Sequence, residues 1–371
     1  MLSLLLVGIA LFWLAVAVKV ERGRADGRWR LGPDGPLLDE LPRLTVVIPA
    51  RDEARNIADC VAAVRASDHP AVDVLVFDDG SLDDTVSLAE RAGARVVRGE
   101  GELPAGWKGK PWALQRAVEN VDADWILFLD ADVRLVPEAA SRIHSYAILE
   151  RLDLLSGLGR LTMDSFWERV IQPSVGGLIL GGNSMAVVND PGHPEKAIAN
   201  GQMILVRRAA YATLGGHAVV KDDILDDIGM ARAFTAAGFK VRCLFMRDLF
   251  SCRMYTGLSE LWLGWTKNLF AGMHYKMSAV VALVLLLLVD FLLPYVLLAV
   301  GIVSGDRSLF AASLATVVLM QVVRLRLDLL FGQSAPYGLL QPLGATMLIG
   351  MVIDSARRTR TGQVRWKRRS Y

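Results

Sequence analysis

The sequence predicts an α/β fold, with a mostly parallel sheet in the middle of the chain and apolar helices towards both ends. Between about residues 44 and 255, short runs of Val, Ile, Leu and Phe alternate with helical segments, which is the pattern of a parallel sheet. Two of these runs stop abruptly at carboxylates. The apolar content is 53% and the mean hydropathy is +0.36, and the excess is concentrated outside this middle region. A membrane protein with a catalytic or binding domain is therefore expected.

The first apolar stretch, residues 1–18, carries no charge and is long enough to span a bilayer. A signal peptide carries its positive charge before the apolar run, whereas here the basic residues follow it, so we interpret residues 1–20 as a retained anchor. The positive-inside rule then places the amino terminus outside and the following chain in the cytosol. Residues 21–43, rich in Gly and Pro, are expected to be a linker along the membrane surface.

The carboxy-terminal third predicts an interfacial helix over 256–276, a transmembrane bundle over 277–356 and a basic tail over 357–371. The apolar stretches of the bundle are residues 278–304, 309–323 and 337–353. Three full spans would place the basic tail outside, against the charge rule. We therefore favour a segment within 325–353, broken by Pro and Gly, that does not fully cross. The net charge of +2 reflects basic membrane-proximal stretches, which suit anionic lipid headgroups.

Carboxylates follow two of the predicted strands. One strand ends at Asp78-Asp79 and another at Asp130-Ala131-Asp132, and ligands of open α/β sheets bind beyond the carboxyl ends of the strands. Alternate residues of an extended strand end point to the same side, so Asp130 and Asp132 could both bind one cation. Clustered carboxylates favour Mg²⁺ or Mn²⁺, which usually brings a diphosphate with it. The alternative is that these residues are helix caps and turn residues, and it stays open for Asp83 and Asp84.

Four ordered motifs resemble those of family 2 glycosyltransferases, which have the GT-A fold, over roughly residues 44–270. They are Thr45-Val-Val-Ile-Pro-Ala-Arg-Asp-Glu53 with Asn56, Val76-Phe-Asp-Asp-Gly-Ser81, Gly109-Lys110 with Ala113-Leu114-Gln115, and Leu129-Asp130-Ala131-Asp132. The third departs from the family in having Gln instead of Asn. The fold implied is a Rossmann-like GT-A domain over residues 44–255.

The resemblance implies a donor site and a metal site. Asp130 and Asp132 would ligate Mg²⁺ or Mn²⁺, and Glu53 and Asp79 would contact the nucleoside. Lys110 would lie near the donor, although a solvated charge at the start of a helix is the alternative. The donor-binding residues implied are Pro49, Arg51, Glu53, Asp79, Lys110, Asp130, Trp265 and Lys267.

The resemblance also places a general base at Asp227, preceded by Asp226 where the family has Glu. An acceptor hydroxyl must lose its proton as it attacks in an inverting transfer. Acidic residues also favour helix amino termini for electrostatic reasons, which is the alternative for Asp227 and a sufficient account of Asp222 and Asp223.

The membrane-surface motif of the family, Gln/Arg-x-x-Arg-Trp, is reduced here to Trp265. Lys267 and Asn268 follow within a turn and could replace the lost Arg, and the departure argues against processive polymer synthesis. Trp262 and Trp265 could instead belong to an aromatic belt at the bilayer interface, the interpretation we prefer for Trp262.

Residues 166–188 are apolar but interrupted by glycines, which indicates either an interfacial segment lining a lipid entry groove or a buried core helix. Together with the 265–270 run and the ending Trp366-Lys367-Arg368-Arg369-Ser-Tyr371, this layout resembles a subgroup of hopanoid-associated and carotenoid (diaponeurosporenoate-type) glycosyltransferases. Arg368 departs from that subgroup's usual ending.

These observations predict an enzyme of the bacterial inner membrane with a cytosolic catalytic domain. It would transfer one sugar from a nucleotide-sugar donor, a UDP-sugar by preference, to the hydroxyl or carboxylate of a lipid acceptor. The alternatives are a polyisoprenyl-phosphate glycosyltransferase and an inactive membrane scaffold with the GT-A fold. No nucleic-acid signature is present, and three cysteines without metal-ligand spacing indicate structural thiols in a reducing compartment.

Overall fold

The computed structural model describes residues 2–182, 184–330, 332–333, 335–367 and 369–370, which form two compact units. The sheet unit comprises Arg28–Thr162 and Met185–Met254. The helical unit comprises Met1–Gly27, Met163–Ser184 and Tyr255–Tyr371. The GT-A domain expected over residues 44–255 thus differs from the sheet unit, because residues 163–184 group with the apolar helices.

The strands, in chain order, are β1 Leu44–Ala50, β2 Val72–Asp78, β3 Arg95–Arg98, β4 Trp125–Leu129, β5 Val133–Leu135, β6 Leu154–Leu158, β7 Arg160–Leu161, β8 Met203–Arg207, β9 Val241–Phe245, β10 Phe250–Cys252, β11 Arg365–Trp366 and β12 Arg369–Ser370. The helices are α1 Leu2–Ala25, α2 Ile57–Arg65, α3 Thr85–Arg91, α4 Gly109–Val118, α5 Ala139–Leu149, α6 Phe166–Gly182, α7 Met185–Val188, α8 Arg208–Leu214, α9 Asp226–Ala236, α10 Leu258–Gly272, α11 Met277–Leu286, α12 Leu293–Ser304, α13 Arg307–Leu330 and α14 Gln341–Arg360.

The sheet unit is built on a seven-stranded sheet in the order β3-β2-β1-β4-β8-β6-β9. β1 pairs in parallel with both β2 and β4. β8 is the exception, because it runs antiparallel to β4 and β6 on either side. The predicted α/β fold with a mostly parallel sheet is confirmed, and β1, β2 and β4 end at the same edge.

Helices cover both faces of this sheet, so its central strands are apolar on both sides. Along β1, Val46 and Ile48 belong to one buried cluster and Val47 to another, as expected because successive side chains of a strand point to opposite faces. β4 is buried throughout, with Ile126 and Leu127 fully inaccessible. The strand ends that carry the site are therefore anchored in a rigid core.

Residues 28–43 pack on the sheet unit, although a linker was expected over 21–43. Leu31 is buried and its N–H donates to Phe245 O at 3.0 Å, while Arg30 forms a parallel bridge with Phe245. Arg142 Nη1 donates to Gly35 O at 2.5 Å. Only the first part of this stretch, through Gly27, groups with the helical unit.

Among the described residues of the helical unit, four helical segments are long and apolar enough to cross a membrane: Leu4–Gly23, Met277–Ser304, Arg307–Leu329 and Pro336–Arg360. The second includes a π-helical stretch, Leu287–Leu292, that leads directly into Pro294. A proline at that point has no N–H to offer the preceding turn. Membrane helices towards both ends of the chain are thus confirmed as candidates by length and composition.

α6 and α14 are each one continuous helix, although the sequence of both segments contains proline and glycine. α6 is continuous through Pro173 and buries Val170, Ile171 and Val175 while exposing Phe166, so it has one buried face and one exposed face. α14 is likewise one helix, with Pro342 in its first turn, where a proline is well tolerated. The break expected within 325–353 therefore precedes α14, at the 3₁₀ turn Ala335–Leu340. That α14 does not fully cross stays a prediction.

Candidate active site at the carboxyl edge of the sheet

The ends of β1 and β2 are joined by Arg51 and Asp79. Arg51 Nη1 donates to Asp79 O at 2.6 Å and lies 3.8 Å from Asp79 Oδ2, and Asp79 N–H donates to Ala50 O. Pro49 lies beside Phe77 in the register of the two strands. These residues form one wall of the site at this sheet edge, and Arg51 and Asp79 are its ion pair.

Glu53 is held by the loop that follows β2. Its N–H donates to Thr85 Oγ1 at 2.8 Å, and Asn56 Nδ2 donates to its carboxylate at 3.1 Å. Asp52 adopts a left-handed conformation, with φ of 51°, which is uncommon for a residue with a side chain. Its N–H donates to Ser81 Oγ, so the two loops fix each other and position Glu53.

Asp83 is a structural residue of the same loop. Its carboxylate accepts hydrogen bonds from the N–H groups of Ala54 and Thr85. These contacts lower the pKa of Asp83 although burial works to raise it. The turn interpretation left open in the sequence is thus sufficient for Asp83.

Asp130 and Asp132 lie on a turn, not on an extended strand end. β4 stops at Leu129, and Val133 N–H donates to Asp130 O at 3.1 Å before β5 begins. The same-side argument for an extended strand therefore does not apply. The two carboxylates still influence each other, because the charge of Asp130 helps to raise the pKa of Asp132.

Asp132 is the residue best suited to a cation. Its Oδ1 is buried and has no hydrogen-bond partner among the described residues, while the thiol of Cys252 donates to its carboxylate. Burial, followed by the charges of Asp130 and Glu53, raises the pKa of Asp132 to about 7. A buried carboxylate oxygen without a partner is costly, and a cation there would relieve both that cost and the repulsion.

Carboxylate oxygens are the ligands that Mg²⁺ and Mn²⁺ prefer, so Asp130 and Asp132 fit such an ion. Within the described part of the chain, no group of three or more His, Cys, Asp or Glu residues is arranged to hold a metal. Mg²⁺ commonly uses one or two carboxylates together with waters and substrate phosphates. The protein's own contribution here would be these two aspartates.

Lys110 lies among the carboxylates, at the start of α4. Its Nζ is 2.6 Å from Asp130 Oδ1 and 3.4 Å from Gly201 O. Burial alone would lower the pKa of Lys110, but the charges of Asp130, Asp226 and Asp227 outweigh it and raise the pKa above its ordinary value. Lys110 is thus a half-buried ammonium paired with Asp130, and its role near the donor stays a prediction.

Asp226 and Asp227 begin α9, where the N–H groups of the first turn are unpaired within the helix. Asp226 is buried and Asp227 half-buried. Asp227 Oδ2 accepts from Gly201 N–H at 2.7 Å, and its Oδ1 accepts from Ile228 N–H at 2.9 Å. The helix start and Gly201 together fix the orientation of the Asp227 carboxylate.

The segment 200–202, just before β8, connects the two acidic groups. Gln202 O accepts from Asp130 N–H, Gly201 N–H donates to Asp227, and Gly201 O lies near Lys110. A Cβ on Gly201 would lie 3.0 Å from Lys110 Nζ and 3.3 Å from Asp227 Oδ2. Glycine therefore permits the close approach of the backbone to both side chains.

Several of these contacts were not predicted from the sequence. Gly201 was not predicted to lie at the site, and Cys252 was counted only among the three structural thiols, because a single Gly or Cys carries no spacing signature. The pair Tyr211 and His217 was missed altogether. Tyr211 Oη lies 2.6 Å from His217 Nδ1, and burial, with the nearby charge of Lys110, lowers the pKa of His217 to about 3.

Trp265 and Lys267 lie on α10 in the helical unit. Trp265 is buried and its indole N–H donates to Gln172 Oε1 at 2.7 Å, whereas Trp262 donates to Asp354 Oδ2 at 2.9 Å. The donor-binding role of Trp265 and Lys267 stays a prediction. Arg368 and Tyr371, which bear on the subgroup resemblance, lie outside the described residues.

Cys60, Cys243 and Cys252 are free and buried. Burial raises the pKa of the Cys243 thiol to about 12, and the other two thiols are shifted in the same direction. All three are therefore protonated thiols at neutral pH, as the structural interpretation requires.

The mostly parallel sheet, with carboxylates and the half-buried Lys110 at its carboxyl edge, has the GT-A fold. Residues 45–213 match the family model "Glycosyl transferase family 2". The 4,4'-diaponeurosporenoate glycosyltransferase of Staphylococcus aureus strain MRSA252 is 27% identical over 334 residues, 88% of each chain. The enzyme of the same name from strain USA300 is 29% identical over 232 residues, 62% of this chain and 61% of that relative.

A solved structure supports the fold across the chain. The mannosyltransferase PcManGT from Pyrobaculum calidifontis, in complex with GDP-Man and Mn²⁺, aligns over 97% of this chain and 99% of its own length. The TM-score is 0.52 and the identity 15%. At this identity the likeness shows the fold alone.

Proposed function

We propose that this chain transfers a single sugar from a nucleotide-sugar donor to a lipid acceptor, with inversion at the anomeric carbon. The observation that carries the proposal is the cluster of Asp130, Asp132, Asp226 and Asp227 around Lys110 at the sheet edge. The four candidate membrane spans favour an acceptor that resides in the bilayer. The curated relatives are named for a carotenoid acid, so a carotenoid-like, hopanoid-like or glycolipid acceptor is the class we propose.

Donor binding is proposed for the wall formed by β1 and β2. Glu53 and Asp79 would accept hydrogen bonds from the nucleoside of a UDP-sugar, and Arg51 keeps Asp79 oriented through contacts of 2.6 Å and 3.8 Å. Two loops that hydrogen-bond each other support this wall. Such preorganisation lowers the entropic cost of binding.

A divalent cation would be held by Asp130 and Asp132, with Mg²⁺ and Mn²⁺ both suited to the oxygen ligands. When bound, it would act as a Lewis acid on the diphosphate leaving group. Lys110 adds a fixed positive charge, which suits it to the diphosphate as well as to Asp130. Trp265 and Lys267 on α10 are proposed as further donor contacts.

Asp227 is proposed as the general base. Its two oxygens accept backbone hydrogen bonds from Gly201 and Ile228, which fixes the orientation of the carboxylate. An acceptor hydroxyl would give its proton to Asp227 while its oxygen bonds to the anomeric carbon. The bond from that carbon to the diphosphate breaks with its electron pair on the leaving group. For a carboxylate acceptor no proton is transferred, and Asp227 orients the acceptor.

The cellular location proposed is the bacterial inner membrane, with the sheet unit in the cytosol where nucleotide sugars are made. The basic residues after the first apolar helix support this orientation by the positive-inside rule.

The test uses the full chain in nanodiscs of bacterial lipid extract, with Mn²⁺ and a panel of radiolabelled nucleotide sugars. We expect one donor to deliver label to the organic phase and Asp132→Ala to abolish transfer. Asp122→Asn, an exposed aspartate before β4, is the matched control and should transfer normally. Donor binding without hydrolysis or transfer under all conditions would contradict the proposal and favour the scaffold. Label in a lipid phosphate would favour the polyisoprenyl-phosphate alternative.

A further inference from the structure

Two oppositely charged side chains are buried inside the helical unit. Arg324 and Asp328 lie one turn apart on α13, within a candidate membrane span, with side chains 5% and 1% exposed. Arg324 Nε donates to Asp328 Oδ1 at 2.8 Å. Ionisable residues in membrane segments are costly and usually serve a function.

The pair leaves one donor and one acceptor unused. Arg324 Nη2 and Asp328 Oδ2 are buried and make no hydrogen bond to any described residue. Arg324 Nη1 is near Ser174 Oγ of α6 at 3.4 Å. A buried charge with unmet hydrogen bonds is strongly unfavourable, so both atoms call for a further polar group.

Further polar groups surround the pair. Gln321 Nε2, one turn before Arg324, donates to Tyr295 Oη of α12 and lies 3.5 Å from Gln341 Oε1 of α14. Gln341 is buried. Four helices thus contribute hydrogen-bonding side chains to one small region.

Gly338 leaves space beside the carboxylate. A Cβ at this position would lie 3.1 Å from Asp328 Oδ2 and 3.5 Å from Arg324 Cγ. Any larger residue would occupy the space next to the unpaired oxygen. The backbone of the 3₁₀ turn Ala335–Leu340 therefore borders the site without filling it.

We propose that Arg324 and Asp328 bind the polar end of a neutral, hydroxyl-bearing lipid. A hydroxyl accepts a hydrogen bond from Nη2 and donates one to Oδ2, so it satisfies both atoms. The pair is neutral overall, and a carboxylate or phosphate would lie against Asp328 and be repelled. This inference rests on the proposed function, and it specifies the acceptor as an alcohol, not an acid or a phosphate, held here before its hydroxyl is presented to Asp227 for transfer.

The position along α13 agrees with an acceptor site. Arg326, two residues from Arg324, lies 4.0 Å from Glu21 near the end of α1. In the proposed orientation this end of α1 faces the cytosol, the side that supplies the nucleotide sugar. The site is thus near the membrane surface at which transfer occurs.

The test measures dissociation constants without a donor, on the full chain in nanodiscs. The probes are a long-chain isoprenoid alcohol, the corresponding acid and the corresponding monophosphate. We expect the wild type to bind the alcohol most tightly. Gly338→Ala, which keeps both charges, should weaken alcohol binding about tenfold, the effect of losing about one hydrogen bond to a charged group.

Asp328→Asn is the decisive variant, because it makes the site net positive. Its preference should shift towards the acid and the monophosphate by about tenfold or more, a change that a purely structural contact would not produce. Arg324→Met/Asp328→Leu replaces both charges with apolar groups, which membrane and soluble proteins often tolerate, and should lose the preference for the alcohol. Arg326→Gln, on the same helix but exposed, is the control.

Three results would overturn the inference. They are an unchanged order of affinities in Asp328→Asn, alcohol binding by the double variant equal to that of the wild type, and a wild type that prefers the acid or the monophosphate. Because the measurement needs no donor and no turnover, it can fail while sugar transfer is found, and it can succeed while transfer is not.

Discussion

Asp226 and Asp227 are neighbours in sequence with different environments. Asp226 is buried, whereas Asp227 is half-buried and accepts the Gly201 and Ile228 N–H groups. Accessibility decides which carboxylate can receive a proton from an acceptor. The acidic run alone did not separate the two, because their environments depend on the turn of α9 and on a segment about 26 residues away.

Asp227→Asn is expected to lower kcat by about 10²–10⁴, the usual contribution of a general base, with little change in the donor KM. Initial rates at varied donor concentration give both values. Asp222→Asn, an exposed residue of the same acidic run, serves as the control. Equal losses in the two variants would indicate that only the negative field matters and that Asp227 is not a specific base.

Lys110→Met is expected to increase the affinity for Mn²⁺ alone by about tenfold, because the ammonium 2.6 Å from Asp130 repels a second cation. At such short separations the electrostatic interaction between two unit charges is strong even with solvent screening. Titration of Mn²⁺ by electron paramagnetic resonance, without nucleotide, measures the change. Lys221→Met removes the same net charge from an exposed position, and a similar gain there would contradict the local explanation.

Among elements, those with long apolar runs were the most predictable. β2 ends at Asp78 and β4 at Leu129, next to the carboxylates at which the sequence predicted these strand ends, because strands buried on both faces must be apolar throughout. Because the sequence indicates where β4 ends and where α4 begins, it also predicts that Asp130 and Lys110 lie at the site. α6 was harder to predict, because its glycines argue against both a helix and a membrane span. Its contacts, such as that of Gln172 with Trp265, are also made with residues distant in sequence.

The segment before β8 shows a different limit. β8 lies antiparallel between β4 and β6, so it begins at the sheet edge where β4 ends. Gly201, just before the start of β8, therefore lies at the site. Sequence patterns identify strand ends but not the direction in which a later strand is inserted. Cys252 reached Asp132 for a similar reason, through β10 pairing with β5.

Gly201→Ala is expected to lower kcat about tenfold, because its methyl group would lie 3.0 Å from Lys110 Nζ and 3.3 Å from Asp227 Oδ2, and small displacements of catalytic groups reduce rates strongly. Stability should be largely retained, since the flexible end of Lys110 can move. Steady-state rates and thermal unfolding of the same preparations test this. Gly192→Ala, in an exposed loop, is the control, and unchanged kinetics in Gly201→Ala would refute the positioning role.

For the whole molecule, the open question is the number of crossings. In Pro336–Arg360, 44% of the most apolar window is buried within the protein, against 17–28% in the other candidates. Protein therefore covers this segment to a greater extent than the other three, and whether it crosses stays a prediction. The charge rule independently favours an internal basic tail.

A fluorescent protein fused after Tyr371 should therefore be fluorescent, and alkaline phosphatase at the same place should be inactive. The same reporters fused before Met1 should show the opposite behaviour, because the proposed orientation places the amino terminus outside. An active phosphatase after Tyr371 would show that all four candidate helices cross.

The contact between Arg30–Leu31 and Phe245 has a consequence for handling this protein. β9 is an outer strand of the sheet, and an uncovered outer strand is a template on which other chains can add. The N–H of Leu31 and the bridge at Arg30 cover the end of β9. Residues 28–43, which were predicted to be a linker, should therefore also hinder self-association through this strand. A shortened protein beginning at Leu44 should aggregate through this strand, whereas one beginning at Arg28 keeps its own protective cover.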